Sequence, residues 1–220
     1  METLEILQRN ELFKHLTPDE LTLLAQSTIT RKVPKNTLVI NQGDTSNSLF
    51  IIKEGHVNVT LYNDDGKELI LATLRPGDHF GELALLDEKP RSANVITIEN
   101  SVFIVLHKED FFRLLESNPR VALSVIRYLC NQIRLLTSIA ESLALMDVYG
   151  RLVKLLMDMA EVDEHGEWVI DMPLTHKDIA KRVGSSREMI SRIMKELEKG
   201  HYLTTEHKTI KIHKKLPIAW

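Results

Sequence analysis

Two groups of residues in this chain have the types and spacing that chemistry needs. The first is Ser185-Ser186-Arg187-Glu188-Met189-Ile190-Ser191-Arg192. Ser185 and Glu188 stand at the S-x-x-E spacing of a capping box, which predicts a helix start there. At about 100° per residue, Arg187, Glu188, Ser191, Arg192 and Lys195 fall on one side of that helix. Met189, Ile190, Ile193, Met194 and Leu197 fall on the other. The apolar side must pack on a body, which leaves the charged side free to meet a ligand. An Arg can chelate the O6/N7 edge of guanine, and a Glu can accept from the amino group of cytosine. A face that only gripped phosphates would have no reason to carry Glu188 at its front.

The second group is Phe80-Gly81-Glu82-Leu83-Ala84-Leu85-Leu86, followed by Pro90-Arg91-Ser92-Ala93. Gly81 lets a backbone approach closely. Leu83 and Ala84 offer amides at the start of a helical turn, where an anion is favoured. Arg91 can fork onto a phosphate, and Ser92 adds a hydroxyl. Glu82 would repel that phosphate, so it suits a sugar hydroxyl instead. One acceptor for a ribose and several donors for a phosphate together suit a nucleotide. Alone, Gly-Glu-Leu-Ala is also the sequence of a structural turn; Arg-Ser-Ala at this spacing favours a phosphate cassette.

The elements around each group sharpen the reading. Taken alone, residues 187–197 make an ordinary amphipathic surface helix. Upstream, however, Leu174 to Gly184 reads as a shorter helix capped by Thr175 and ended by Gly184, where a Gly can take a positive φ. Two short helices joined by a Gly-containing turn form a helix-turn-helix. Downstream, Tyr202–Thr205 and Thr209–Ile212 read as two short strands around a turn, hence a winged helix-turn-helix. Charge agrees. Residues 172–220 hold 11 Lys and Arg against 5 Asp and Glu, a net of +6, which leaves −9 for the rest of a chain whose total is −3. Basic charge gathered at one end can neutralise phosphates, and an acidic body can orient the approach.

The cassette sits in a different kind of sequence. Residues 4–26 read as short helices, with Thr17-Pro18-Asp19-Glu20 a strong start signal. From Thr28 to about His107 short aliphatic and β-branched runs succeed one another, punctuated by Gly43, Gly55, Gly66 and Gly77. That spacing suggests an antiparallel sandwich or barrel, with Asn63-Asp64-Asp65-Gly66 a hairpin turn. Between the two groups, Leu129, Ile133, Leu136, Ala140, Leu143 and Met146 recur at steps of four and three, as in a coiled-coil seam. A helix from Arg120 to Met146 would be about 40 Å long. It could pack on its own domain; a dimer seam fits better, because readers of this kind use two-fold symmetry to match half-sites about 34 Å apart.

Composition excludes other classes. Neither a signal peptide nor an apolar run long enough to span a membrane is visible, so no membrane partner is expected. Cys130 is the only cysteine, which excludes an intramolecular disulfide and a multi-Cys metal site. The nine His do not cluster; His201, His207 and His213 lie six apart, and His79 is expected at the surface or in a loop rather than on a metal or haem. With no paired catalytic carboxylates and no nucleophile beside a base, the chain is expected not to be an enzyme. The expected compartment is the bacterial cytoplasm.

In this order (β body with phosphate cassette, long helix, winged helix-turn-helix) the chain resembles the CRP/FNR family of bacterial transcription regulators. The resemblance is carried by Gly81-Glu82-Leu83-Ala84 with Arg91-Ser92-Ala93, by Met146-Asp147-Val148 with Gly150-Arg151, and by Ser186-Arg187-Glu188 with Arg192. It implies an α+β architecture. Residues 1–118 would be a cyclic-nucleotide-binding β-roll, 119–147 a long dimerisation helix and hinge, and 148–220 a winged helix-turn-helix. It implies no required cofactor but an effector, cyclic AMP first and cyclic di-GMP second, or constitutive DNA binding without a ligand. Glu82 would bind ribose, and Arg91 and Ser92 the cyclic phosphate, with Gly81, Leu83 and Ala84 around it. Arg187, Glu188 and Arg192, helped by Ser186 and Ser191, would read TGTGA-like half-sites of palindromic double-stranded DNA. Thr175 and Lys177 would touch phosphates, and Met146 and Asp147 would mark the hinge. The loops Asn63–Glu68 and Val162–Glu167 would face RNA polymerase. In cyclic-AMP-responsive members a Thr-Ser pair of the long helix meets the adenine. Here a gapless count back from Asp147 places Leu136 and Thr137 at those positions, so Thr137 and Ser138 come one place late; both are still expected among the ligand-binding residues, with either Thr137 alone serving or the purine read differently.

Overall fold

The computed structural model describes residues 2–45, 47–164, 167–171, 174–206, 209–214 and 216, with Glu206 described by its backbone alone. The chain divides into two compact units, Met1–Arg134 and Leu135–Trp220. The dividing line falls inside one long helix, Pro119–Leu145.

The first unit begins with helices α1 (Thr3–Arg9) and α2 (Pro18–Gln26). As the sequence predicts, Thr17 caps α2, and its hydroxyl and the Glu20 carboxylate satisfy each other's backbone amides. Eight strands and one helical turn come next: β1 (Thr28–Val33), β2 (Leu38–Ile40), β3 (Ser48–Glu54), β4 (Val57–Tyr62), β5 (Glu68–Leu74), β6 (His79–Phe80), α3 (Glu82–Leu86), β7 (Asn94–Thr97) and β8 (Ser101–His107). They form two antiparallel four-stranded sheets, ordered β1-β8-β3-β6 and β2-β7-β4-β5. The four glycines picked out by their spacing fall in the four successive connections from β2 to β6. Helices α4 (Lys108–Ser117) and the N-terminal part of α5 (Pro119–Leu145) complete the unit.

The strands β3 and β8 explain why the sequence runs Leu49–Ile52 and Phe103–Leu106 do not alternate with polar residues. Phe50, Ile52, Phe103 and Val105 point into the space between the sheets, with Val57, Phe80 and Val95. Leu49, Ile51, Ile104 and Leu106 point the other way, onto α1, α2, α4 and Val121 and Val125 of α5. A strand buried on both faces reads as a continuous apolar run.

The second unit holds the rest of α5, then α6 (Val148–Met159), β9 (Glu161–Val162), β10 (Trp168–Ile170), α7 (His176–Val183), α8 (Arg187–Lys199), β11 (Leu203–Glu206) and β12 (Thr209–Ile212). The wing strands lie where the sequence places them. Two further strands, β9 and β10, extend the sheet to the order β11-β12-β10-β9. The loop Val162–Glu167 closes the β9–β10 hairpin through Asp163 and Glu167; His165 and Gly166 in it, and His207 in the wing, lie outside the described residues.

Four expectations need correction. The cap of α8 is Ser186, whose hydroxyl accepts from the Met189 amide at 3.2 Å, and not Ser185. The reason is the preceding turn: Gly184 takes φ 66°, ψ 44°, and the Ser185 amide reaches back to the Ala180 carbonyl, so Ser185 is spent closing α7. Met189, assigned to the apolar side, is 36% exposed at its edge, whereas Ile190, Ile193, Met194 and Leu197 are buried. Leu129 is half-buried against the first unit's core. The exposed apolar stripe of α5 runs instead through Ile126, Cys130, Ile133, Thr137, Ala140 and Ala144, flanked by Leu136 and Leu143. His79 is not on the surface. Its ring is buried between Asn10, whose Nδ2 lies 3.3 Å from Nδ1, and Tyr128. Desolvation holds the imidazole at about 4, against an ordinary 6.5.

Two of these positions are open to direct test. Gly184→Ala meets only an ordinary contact with Leu143, so its cost is the left-handed backbone, about 1–2 kcal/mol. Urea unfolding of the second unit is the measurement. For His79, the unfolded chain takes up a proton between pH 6.5 and 4 that the folded chain refuses. Stability is therefore full above that window and falls as pH falls through it, by about 2 kcal/mol between pH 7 and 5. His79→Asn should lose that part of the pH 7-to-5 difference. Glu82 titrates in the opposite sense, but it is present in both proteins and cancels.

Candidate functional site

The cassette is built around Gly81. The backbone there takes φ 88°, ψ 8°, as the N-cap of α3. A Cβ on this residue would run into the Arg91 guanidinium and lie 3.1 Å from the Ser48 carbonyl. Glycine is thus what lets Arg91 cross directly over the turn. Its Nη1 donates to the Gly81 carbonyl at 2.5 Å and its Nη2 to the Ser48 carbonyl at 2.6 Å. The Arg91 backbone is pinned in turn by the β2–β3 connection, its amide donating to the Asp44 carbonyl and its carbonyl accepting from Gly43.

Arg91 is 4% exposed and Glu82 6%. Burial lowers the Arg91 pKa from its ordinary value, and the Glu82 charge offsets part of that. Burial also pushes the Glu82 carboxyl up; its own backbone amide, the Tyr128 hydroxyl and the Arg91 charge pull it back. The result is a cation and a carboxyl held in one low-dielectric place, where each interaction is stronger than in water. Leu83 and Ala84 occupy the first turn of α3, where helical bonding leaves amides over and no side chain caps them. Ala84 is buried, Leu83 is 42% exposed, and Ser92 is exposed. Sequence reasoning missed Tyr128. Its hydroxyl donates to Glu82 Oε1 at 3.2 Å, and its ring centroid lies 4.4 Å from that of His79. A Tyr on the core-facing side of an amphipathic helix carried no signal of its own.

Thr137 and Ser138 belong to the second unit, and the structure separates their roles. Thr137 is exposed, in the apolar stripe of α5. Ser138 accepts from Lys154 Nζ of α6 at 2.8 Å, and Ser142 accepts from the same nitrogen at 2.8 Å. Ser138 is therefore engaged in fastening α5 to α6, which its expected place among ligand-binding residues did not foresee. Asp147 caps α6 by accepting from the Gly150 amide at 2.8 Å. Met146, just before it, offers its carbonyl to Arg151 Nη1, while Arg151 Nε reaches the Val183 carbonyl at the end of α7.

The second candidate surface is the outer side of α8. Arg187, Glu188, Ser191, Arg192 and Lys195 are exposed on it together, opposite the buried Ile190, Ile193, Met194 and Leu197. Ser186 serves as the helix cap. Lys177 is exposed on the first turn of α7. Thr175 is exposed too, but its hydroxyl is occupied: it accepts from the Asp178 amide at 3.2 Å and donates to the Asp178 carboxylate at 2.6 Å. Its role is to start α7, and any phosphate contact would have to share that hydroxyl. Among the described residues no group of three or more His, Cys, Asp or Glu could hold a metal, and no helix is long and apolar enough to cross a membrane.

Comparison with known proteins agrees with this geometry. Residues 30–118 match the cyclic nucleotide-binding domain family, and residues 150–215 match the Crp-like helix-turn-helix domain family. The cAMP-activated global transcriptional regulator CRP of Pasteurella multocida is 30% identical over 186 residues, 83% of this chain and 88% of that protein. The CRP-like cAMP-activated global transcriptional regulator of Mycobacterium tuberculosis is 26% identical over 211 residues, 94% of each chain. In fold, the chain is similar to the c-di-GMP responsive global regulator CLP of Xanthomonas campestris, with a TM-score of 0.78 at 23% identity over 90% of this chain and 100% of that one. The cyclic-nucleotide-binding roll, the long helix and the winged helix-turn-helix, with a relative at 30% identity along most of the length, show that the chain belongs to the CRP/FNR family of transcription regulators.

Proposed function

We propose that this chain is a homodimeric, sequence-specific transcription regulator, not an enzyme, whose affinity for DNA is set by cyclic AMP. The observation that carries the reading is the buried pair Glu82 and Arg91 gathered at Gly81 inside a cyclic-nucleotide-binding domain. Arg91 exchanges two carbonyls for the charge of a cyclic phosphate, and Glu82 accepts from a ribose hydroxyl. The relatives in Pasteurella and Mycobacterium are cAMP-activated, which is why cyclic AMP stands first. Cyclic di-GMP is the second reading. What favours it is the engagement of Ser138 by Lys154, which commits one of the two hydroxyls expected to meet an adenine.

The two-fold axis lies along the stripe of α5 from Ile126 to Ala144. Ile133 is 64% exposed and Ile126 56%, and apolar positions repeating every three and four residues cover one another in a paired helix. Two α8 helices so paired enter successive major grooves. Arg187, Glu188 and Arg192 read TGTGA-like edges, while Lys177 sits on a phosphate. The ligand biases DNA binding only by its differential affinity for two states of the dimer, and the coupling is reciprocal. RNA polymerase is met by the hairpin loop Asn63–Glu68 and the β9–β10 loop. The protein works in the cytoplasm.

Titration calorimetry with cyclic AMP and cyclic di-GMP, with and without a palindromic operator, tests the reading. Operator should tighten binding of the effector by the same factor by which effector tightens operator. Arg91→Ala should abolish that response; operator binding that is complete without ligand and indifferent to Arg91→Ala points instead to a constitutive binder. On the reading head, Arg187→Ala should cost about 1–3 kcal/mol and relax preference at one guanine. Lys177→Ala should weaken all sequences alike and lower the salt slope by about one. Uniform weakening by both would show that Arg187 grips the backbone only.

A further inference from the structure

One contact of the cassette is not explained by ligand binding. Glu82 Oε1 accepts from the Tyr128 hydroxyl at 3.2 Å. Tyr128 thereby joins α5 to the cassette, and its ring is held from behind. The His79 ring lies 4.4 Å away at 54°, and His79 is itself fixed by Asn10, which is fully buried and also donates to the Gly77 carbonyl at 2.8 Å. His79, Phe80, Gly81 and Glu82 are consecutive. The same four-residue segment therefore supplies both the wall behind the tyrosine ring and the acceptor in front of its hydroxyl.

The position of Tyr128 on its helix gives the contact a consequence. At about 100° per residue, Tyr128 points about 160° away from both Ile126 and Cys130. Those residues are exposed on the outer stripe, whereas Tyr128 is half-buried toward the roll. One turn of helix thus carries the cassette contact on one side and the stripe on the other. A buried carboxylate with two oxygens accepts several hydrogen bonds, but each new donor redistributes its charge and changes its geometry toward the others. A ribose hydroxyl arriving at Glu82 must therefore alter the bond to Tyr128.

We propose that Tyr128 is a positioning residue that keys helix α5 to the occupancy of Glu82, so that the nucleotide acts on the dimer seam through this hydroxyl. The inference rests on the nucleotide-gated reading above. Tyr128 is assigned to neither the phosphate nor the base; it acts on coupling rather than on capture.

Tyr128→Phe is the test, because it removes the hydroxyl and leaves the ring packed on His79. The effector's dissociation constant is measured with and without operator, for wild type and variant, with cyclic AMP and cyclic di-GMP as the two probes. The wild-type ratio should lie in the usual range of about 5–150-fold. In Tyr128→Phe the ligand should still bind the free protein within about threefold of wild type, with the ratio reduced about tenfold or to unity. A second readout needs no DNA. Addition of nucleotide should change hydrogen exchange of the α5 amides around residues 124–133 in wild type and leave it unchanged in Tyr128→Phe. A variant that keeps the wild-type ratio and the wild-type exchange response overturns the proposal. A wild-type ratio of one with both nucleotides overturns the gating reading, and this proposal with it.

Discussion

The arrangement depends on a guanidinium crossing a glycine. Arg91 lies over the Gly81 turn, and its two terminal nitrogens are taken up by the carbonyls of Gly81 and Ser48. A buried charge is tolerated only when its donors are satisfied and an opposite charge is near. Here the two carbonyls take up the terminal nitrogens, and Glu82 supplies the opposite charge. Several features that look separate in the sequence serve this one placement. Gly43 and Asp44 pin the Arg91 backbone, Gly81 clears the path, and Phe80 anchors the turn by stacking 5.1 Å from Phe50 in the space between the sheets. The carbonyls that satisfy Arg91 are neutral.

The helix-turn-helix obeys a simpler constraint. Helix α8 divides cleanly because its buried residues recur at 190, 193, 194 and 197, the interval that keeps one face on the core. The turn before it is closed by backbone and small hydroxyl groups: Gly184 in the left-handed region, Ser185 bonded back to Ala180, and Ser186 capping α8. From behind, Arg151 of α6 braces the end of α7 at the Val183 carbonyl. Arg187, Glu188 and Arg192 are left exposed at the front of the helix, where a long side chain can reach a base edge.

How much of the structure is legible in the sequence depends on how local each signal is. The helix caps at Thr17 and Thr175, the strand runs, the Asn63–Gly66 turn and the outer face of α8 are properties of neighbouring residues, and the fold keeps them where the sequence puts them. The shift of the α8 cap by one residue has a non-local cause, since it depends on where α7 finds its last hydrogen bond. Leu129 fits a coiled-coil repeat as well as Ile126 does; only the packing of α5 against Leu49, Ile51 and their neighbours decides which is left outside. His79 had no signal at all. A lone histidine beside a glycine and an aspartate reads as a loop residue, and its burial is fixed by Asn10, 69 positions away. The Tyr128–Glu82 contact spans 46 positions and was hidden for the same reason.

The Thr137-Ser138 pair shows how a displacement of one residue changes a role. On a helix, one position is a rotation of about 100°, enough to move a hydroxyl from one neighbour to another. Thr137 falls into the exposed stripe with Ile133 and Ala140, and Ser138 turns onto α6, where Lys154 binds it together with Ser142. The ammonium has only three donors, and two are given to these hydroxyls. The C-terminal end of α5 is thereby tied to α6 directly after the break at Met146 and Asp147. Arg151, one turn into α6, ties the break itself to the end of α7 through the carbonyls of Met146 and Val183. Within the second unit, then, the end of the long helix is fastened to α6 by Lys154. A rotation of α5 relative to α6 there gives up the hydrogen bonds of Lys154.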